Sequence, residues 1–522
     1  MKVLHFLLSA FLCADAASLG RRCDQPVALT SNGPIIGHKA ANFSSVAEYL
    51  GIPYAQPPVG PLRFAEPQRY TKNSTFVASQ FSPNCPQKES GYLSYPDETP
   101  QFHRIATTFS SGLNQTQSED CLTLNVWDSV SSPGPKPVIV LFYGGRFANG
   151  ETDTPFYNGA RLAAAEPVVV VTLNYRINIF GFPGAPGITQ NVGLLDQRLA
   201  VEWVRDNIHA FGGDATRITI LGQSAGAVSV DYWAYNYPSD PIVAGLISHS
   251  GNALSFGSNT ASVAAAKWYN VSAALGCGSS GSVLSCMRAQ PFSALASLAG
   301  SIAGGAENAT TLLPRTLSPF QPTIDNLTVY SDATYIAKAR RGHFARLPYL
   351  VGNNDNEAGW YRIASYGKTG NTTALPDAVW TDFNLESFTC PTAFAGATRA
   401  RHGVPVWLFR YCADWPNLRL YPSSGAYHGV DLNMVFGNGE VVAGLADAVA
   451  EREMERLMMR GWAAFAAEPA EGLRDVMGWE TYDPDEPTLI RLGYNNSPTA
   501  ELIAPRVYDS SCSSLSLSYW DN

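Results

Sequence analysis

Apolar positions along this chain fall into short unbroken runs, separated by longer stretches that carry a one-sided stripe. Pro137–Tyr143 and Val168–Leu173 are continuous apolar runs, which predicts strands covered on both faces. Between Gly193 and Phe211, Leu195, Leu199 and Trp203 recur at every fourth position, predicting a helix with a single buried stripe that Gly212-Gly213 closes. The β-branched run Arg217–Leu221 follows, and Ala244–Ser248, Leu347–Gly352 and Val404–Phe409 supply further strands. Strand, helix, strand in this order is the rhythm of a parallel sheet. Ala28–Gly37 reads as turn-rich β structure, Ala261–Gly305 as helical, and Glu440–Ala467 as a long helix interrupted near Gly461. Prolines make Ala55–Phe64 an ordered surface loop, and the polar stretch between Cys85 and Cys121 a long tethered loop of functional length. The expected fold is α/β, a large and mostly parallel central sheet flanked by helices. No linker-like shift in composition divides it, so residues 18–522 form one domain behind a leader at 1–17.

That leader has its own pattern. Lys2, the apolar run through Leu12 and Ala14-Asp15-Ala16 have the layout of a cleaved secretory signal, too short to span a membrane. No later run is long and apolar enough to cross a bilayer, and the C-terminal residues are no anchor signal. The expectation is a secreted, soluble protein. Cys13 leaves with the leader. Cys23, Cys85, Cys121, Cys277, Cys286, Cys390, Cys412 and Cys512 remain, an even set in an oxidising compartment and without a C-x-x-C pair, so disulfides are expected and no metal. Asn42, Asn73, Asn114, Asn270, Asn308, Asn326, Asn371 and Asn495 each open an N-x-S/T sequon, as a glycosylated secreted chain would. A net charge of −9 argues against a nucleic-acid partner, which demands a basic patch.

After the Arg217–Leu221 strand the chain reads Gly222-Gln223-Ser224-Ala225-Gly226, then small residues able to open a helix. G-x-S-x-G between strand and helix is a nucleophile elbow, with the serine hydroxyl held clear of the backbone. A serine needs a base within hydrogen-bond reach and an acid to orient that base. In this fold type the acid and then the histidine follow later strands. His343 and His402 precede strands, at the wrong end of a parallel sheet; His428 follows Val404–Phe409 in a turn of small residues. After the strand ending at Gly352, Asp355 and Glu357 are both candidates for the acid, and spacing does not separate them. The oxyanion hole is expected from the N–H of Ala225 and those of Gly145 and Arg146, in the Gly-rich turn after Pro137–Tyr143. No cofactor is required.

Gly51-Ile52-Pro53-Tyr54-Ala55, Pro57-Pro58-Val59-Gly60, Ser118-Glu119-Asp120-Cys121-Leu122-Thr123-Leu124-Asn125-Val126, Asn174-Tyr175-Arg176 and Phe211-Gly212-Gly213-Asp214, in this order, resemble the type B carboxylesterase/lipase family of the α/β-hydrolases, which includes fungal lipases and cholinesterases. The resemblance spans nearly the whole mature chain. It implies an ester hydrolase acting on a small-molecule or lipid ester, with Ser224 as nucleophile, His428 as base and Glu357 rather than Asp355 as the acid. It also implies disulfides Cys85–Cys121 and Cys277–Cys286, which leaves Cys390–Cys412 and Cys23–Cys512. Two other readings compete. One is a triacylglycerol lipase lidded by the Cys85–Cys121 loop; the other is a non-catalytic binding or adhesion domain, against which the intact Ser224, Glu357 and His428 argue. The chain departs from the family pattern in three places. Gln223 stands where a glutamate is common. Arg146 occupies the third glycine of the oxyanion loop, where its side chain would narrow the acyl site or attract anionic groups, so that Arg146→Gly should broaden acyl scope. The Glu357-to-His428 interval is short, implying that part of the helical wall over the pocket is missing.

Overall fold

The computed structural model describes residues 25–89, 91–109, 116–132, 134–302 and 318–513. The leader, Cys23, Asn114 and Asn308 lie outside these residues. The chain opens with β1 (Val27–Thr30), β2 (Gly33–Ile36), β3 (His38–Ala40), β4 (Phe43–Pro53) and β5 (Phe76–Val77). The strands that follow are β6 (Thr123–Ser129), β7 (Lys136–Phe142), β8 (Val169–Leu173), β9 (Gly213–Gln223), β10 (Gly245–His249), β11 (Tyr349–Asn354), β12 (Val406–Tyr411), β13 (Leu489–Leu492) and β14 (Ala500–Ile503). Among the described residues β1, β2 and β5 form a small sheet, and an 11-stranded sheet runs β14-β13-β12-β11-β10-β9-β7-β8-β6-β4-β3.

From β13 to β8 every neighbouring pair is parallel, and antiparallel strands close both edges. The unbroken apolar runs have their expected consequence: β7, β8, β10, β11 and β12 are buried at every position. In the helix Val192–Asn207, Leu199 and Trp203 of the predicted stripe are buried but Leu195 only half so. Leu194, Val201 and Val204 are buried besides, so more than one stripe is covered. Gly212, at φ +79°, ends the turn that follows. Ala225–Asn236 packs on β9 and β10, while Val449–Ala467 packs on β7 and β9. Because the central strands run parallel, the turns after β7, β9, β10 and β11 and the longer loop after β12 open at one edge of the sheet.

The structure departs from the sequence reading in three further places. The Cys85–Cys121 segment is not loop throughout: Phe102–Phe109 is helical and buries Phe102, Ile105 and Ala106. The expected break at Gly461 is absent. The helix Val449–Ala467 runs through Gly461, where a Cβ would come within 3.1 Å of the Trp479 ring, so this glycine serves close packing. The true break falls earlier, where Gly439–Ala443 ends at Gly444 in the left-handed region, φ +71°. Finally, Cys85–Cys121 and Cys277–Cys286 are bonded, but Cys390 pairs with Cys512, so neither Cys390–Cys412 nor Cys23–Cys512 exists. The C-terminal helix Arg506–Asp509 lies against the π-helical turn Leu385–Thr389, which carries Cys512 to Cys390. Cys412 stays a free thiol, its Sγ 3.7 Å from the Tyr508 hydroxyl.

Candidate active site

The elbow is built by absence of side chains. A Cβ on Gly222 would lie 2.2 Å from the Gly226 carbonyl carbon, and one on Gly226 would lie 2.0 Å from the Phe142 carbonyl oxygen. Only glycine lets β9 turn into the helix Ala225–Asn236 this close to β7. Ser224, between them, is held at φ 56° and ψ −121°, a strained conformation typical of such a turn. Its N–H donates to the His249 carbonyl at 2.9 Å, which fastens the elbow to the end of β10.

The turn after β7 faces it. A Cβ on Gly144 would be 2.9 Å from the Ser224 Cβ, so this loop lies directly against the elbow. Gly145, Arg146 and Phe147 all take positive φ, at +104°, +59° and +57°. Among the described residues nothing accepts a hydrogen bond from the N–H groups of Gly145, Arg146 or Ala225. Unfilled donors at a strand end and a helix start are what an oxyanion requires.

Glu357 follows β11 at the start of the helix Ala358–Thr369 and is fully buried. Its Oε2 lies 2.5 Å from His428 Nδ1, while Oε1 accepts from the Ser250 hydroxyl at 2.6 Å and the Asn354 N–H at 2.7 Å. Three partners fix this carboxylate. The other candidate acid points elsewhere: Arg410 Nε donates to Asp355 Oδ1 at 2.8 Å, and Asp355 is half exposed. His428 comes from the loop after β12, beside Gly429 at φ +84°, where a Cβ would meet the Phe109 ring at 2.6 Å.

With Nδ1 directed at Glu357, His428 presents a lone pair at Nε2. In this structure that nitrogen accepts from the Gln223 amide at 3.1 Å and has the Tyr361 hydroxyl at 3.4 Å; Ser224 Oγ is not directly hydrogen-bonded to it. The Tyr361 hydroxyl also interacts with Ser224, so it stands between serine and imidazole. Burial drives the Tyr361 phenol well above its ordinary pKa, against the pull of the Arg146 guanidinium, and keeps it a proton donor. The rings of Tyr361 and Phe388 flank the imidazole at 5.1 and 5.3 Å. Phe109 packs on Trp360 at 4.4 Å, so the Cys85–Cys121 segment does reach the site.

Ser250, Tyr361 and Phe388 were not foreseen. Tyr361 had a signal, since it lies four residues beyond Glu357, one helical turn along the same face. Behind the elbow is a further unforeseen pair. His249 Nδ1 meets Asp431 Oδ2 at 2.5 Å, and the Trp462 indole donates to His249 Nε2 at 2.7 Å. Asn354 bridges this pair to the site through Asp431 Oδ1 at 3.0 Å. His343 and His402 contribute nothing here; His402 Nε2 lies 3.1 Å from the Arg340 carbonyl.

A serine on a strand-to-helix elbow, at the open edge of a parallel sheet with a histidine and a buried carboxylate beside it, defines an α/β-hydrolase. Residues 24–379 and 365–510 match the Carboxylesterase family, and the chain belongs to it, as a carboxylic ester hydrolase. It is 33% identical over 454 residues to a chlorogenic acid esterase of Aspergillus niger, covering 85% of this chain and 83% of the relative. It is 31% identical over 512 residues to secreted lipase 5 of Gibberella zeae, covering 92% of each. An acetylcholinesterase of Bungarus fasciatus is 30% identical over 527 residues, covering 87% of this chain and 80% of that protein.

Proposed function

We propose that this protein is a secreted esterase that works through an acyl-enzyme, with Ser224 as nucleophile, His428 as general base and Glu357 as the orienting acid. The observation that carries the reading is the buried 2.5 Å contact between Glu357 and His428 beside the elbow serine. It makes Nε2 the ring nitrogen that carries the lone pair and takes the proton. In the first half-reaction Ser224 Oγ attacks the ester carbonyl as Nε2 accepts its proton. The negative charge that develops on the carbonyl oxygen falls to the N–H groups of Gly145, Arg146 and Ala225. Collapse breaks the ester C–O bond, and the imidazolium gives its proton to the departing alcohol. Water repeats the sequence and releases the acid and Ser224. Substrate entry must displace the Gln223 and Tyr361 groups from Nε2, since catalytic hydrogen bonds tighten only in the complex.

Secretion rests on the N-terminal pattern, three disulfides and the six described sequons, Asn42, Asn73, Asn270, Asn326, Asn371 and Asn495, all of which are exposed. Among the described residues no helix is long and apolar enough to cross a membrane. A lipase reading has one specific support besides the lipase relative: Phe109, at the end of the helix within the disulfide-closed Cys85–Cys121 segment, reaches the site. Nitrophenyl esters of increasing acyl length, run beside Ser224→Ala, test both. Turnover that disappears in the variant is expected, with the maximum at short chains for an esterase and at long chains for a lipase. A folded wild-type protein inert on every ester would leave the binding-domain reading standing.

A further inference from the structure

The loop that supplies two of the oxyanion donors carries an arginine whose charge is unused. Among the described residues the four buried arginines all have carboxylates: Arg63 with Glu119, Arg176 with Asp196, Arg399 with Asp231 and Arg410 with Asp355. Arg146, which is half-buried, has no ion pair, and its guanidinium makes no hydrogen bond to any described residue. Enclosure lowers its pKa, and the electrostatic neighbour that acts on it is the Tyr361 phenol, not an acid. That phenol is the group standing between Ser224 and His428 Nε2. The cation therefore lies within electrostatic reach of the reacting centre, on a loop that packs against the elbow.

The backbone sharpens the point. Arg146 sits at φ +59° between two further left-handed residues, a conformation that disfavours any side chain with a β-carbon. A half-buried, unpaired charge in a strained position is unfavourable on both counts. A ligand that brings an anion to it offsets both. Guanidinium is the side chain best shaped to take a carboxylate through two parallel hydrogen bonds.

We infer that Arg146 is an anion-recognition residue for the substrate, and that the preferred substrates are esters bearing a free carboxylate a few bonds from the scissile carbonyl. This rests on Ser224, His428 and Glu357 forming the hydrolytic site. The carboxylate belongs either to the acyl part, as in a monoester of a dicarboxylic acid, or to the alcohol part, as in an ester of a hydroxy acid.

Two matched pairs read the two positions. Monophenyl adipate against phenyl hexanoate places the charge on the acyl side, and 3-acetoxybenzoate against phenyl acetate places it on the alcohol side. The readout is the ratio of kcat/KM within each pair for the wild type, Arg146→Gln and Arg146→Lys, each shown to be folded by its melting curve. A charged hydrogen-bonded contact predicts a wild-type ratio of about 10 to 100 in favour of the acid on one pair. It should fall to near unity in Arg146→Gln, remain partly in Arg146→Lys and weaken with salt. A wild-type ratio at or below unity on both pairs overturns the inference, as does an unchanged ratio in Arg146→Gln. If no ester is turned over, the hydrolytic reading has failed, and the anion site is then read by calorimetry with adipate. Binding by Ser224→Ala that disappears on adding Arg146→Gln supports the site; no binding, or binding indifferent to Arg146, rejects it.

Discussion

Gln223 lies 3.1 Å from His428 Nε2, the atom that takes the proton in the proposed mechanism. An amide there caps the imidazole lone pair without adding charge. A carboxylate in its place would favour the imidazolium, the form that cannot take the serine proton. Gln223→Glu should therefore move the acidic limb of the kcat/KM profile upward by about one pH unit or more, and a profile that stays put would separate Gln223 from the base. Glu357 makes the opposite kind of contact, a charged one to Nδ1. Its replacement by Gln should lower kcat by about 10⁴-fold by losing the tautomer that points the lone pair at Ser224. Asp355→Asn should change kcat little, because that carboxylate is taken by Arg410. That Ser224 and His428 come together was legible because each sits in a motif or a chain position that the proposed chemistry requires. The acid was not separable by spacing, since both carboxylates fall in the same turn after β11 and only packing turns one inward. Tyr361 and Ser250 act through side-chain direction, which no motif encodes.

The helix Val449–Ala467 shows what periodicity conveys about an element and what it hides. Its apolar stripe was readable, but the pattern also ran through the preceding turn and placed the interruption at the wrong glycine. What the pattern could not reveal is that three acids meet under the true break. Asp447, Glu451 and Glu455 are all buried, and the Asn417 amide donates to Asp447 at 3.1 Å and to Glu451 at 3.0 Å. Burial, with Asp447 adding to it, pushes Glu451 up to about 7 and Glu455 up to about 8, and Arg161 opposes the shift at Glu455. Glu440 raises Asp447 further, beyond the effect of burial, while Arg161 and Arg452 lower it. Both glutamates thus titrate higher in the folded chain than their ordinary 4.5. Their protonated forms favour folding, so this contribution is whole below about pH 4.5 and is lost as pH rises through about 7 to 8. Melting temperature should fall across that window. Glu455→Gln should flatten the fall and stabilise the alkaline side by on the order of a few kcal/mol. Equal slopes for the two proteins would show that the cluster is not what titrates.

At the scale of the whole molecule, the sheet was readable because buried parallel strands announce themselves as unbroken apolar runs. Of the disulfides, Cys85–Cys121 and Cys277–Cys286 followed from the family resemblance, but the partner of Cys390 did not, because its pairing depends on where distant segments end up. Cys390 and Cys412 are close in sequence, yet Cys412 stands just past the end of β12 with its N–H bonded to the Leu492 carbonyl. Cys390 begins a helix directly after the turn Leu385–Thr389, against which the C-terminal segment lies. The Cys390–Cys512 bond spans 122 residues and encloses β12, β13 and β14, the final edge of the sheet. In the chain-entropy account, closing a loop of that length stabilises the folded state by about 4 to 5 kcal/mol. Cys512→Ser should therefore lower the melting temperature clearly, while Cys412→Ser should leave it nearly unchanged. Burial pushes the Cys412 thiol up to about 12, so it should resist alkylation at neutral pH while folded and react once denaturant is added without reductant. A peptide map of the non-reduced protein should recover the Cys390–Cys512 pair and an alkylated Cys412. A Cys390–Cys412 peptide would mean that the C-terminal segment does not tie down the β13–β14 edge, and the stability loss expected of Cys512→Ser would then fall to Cys412→Ser.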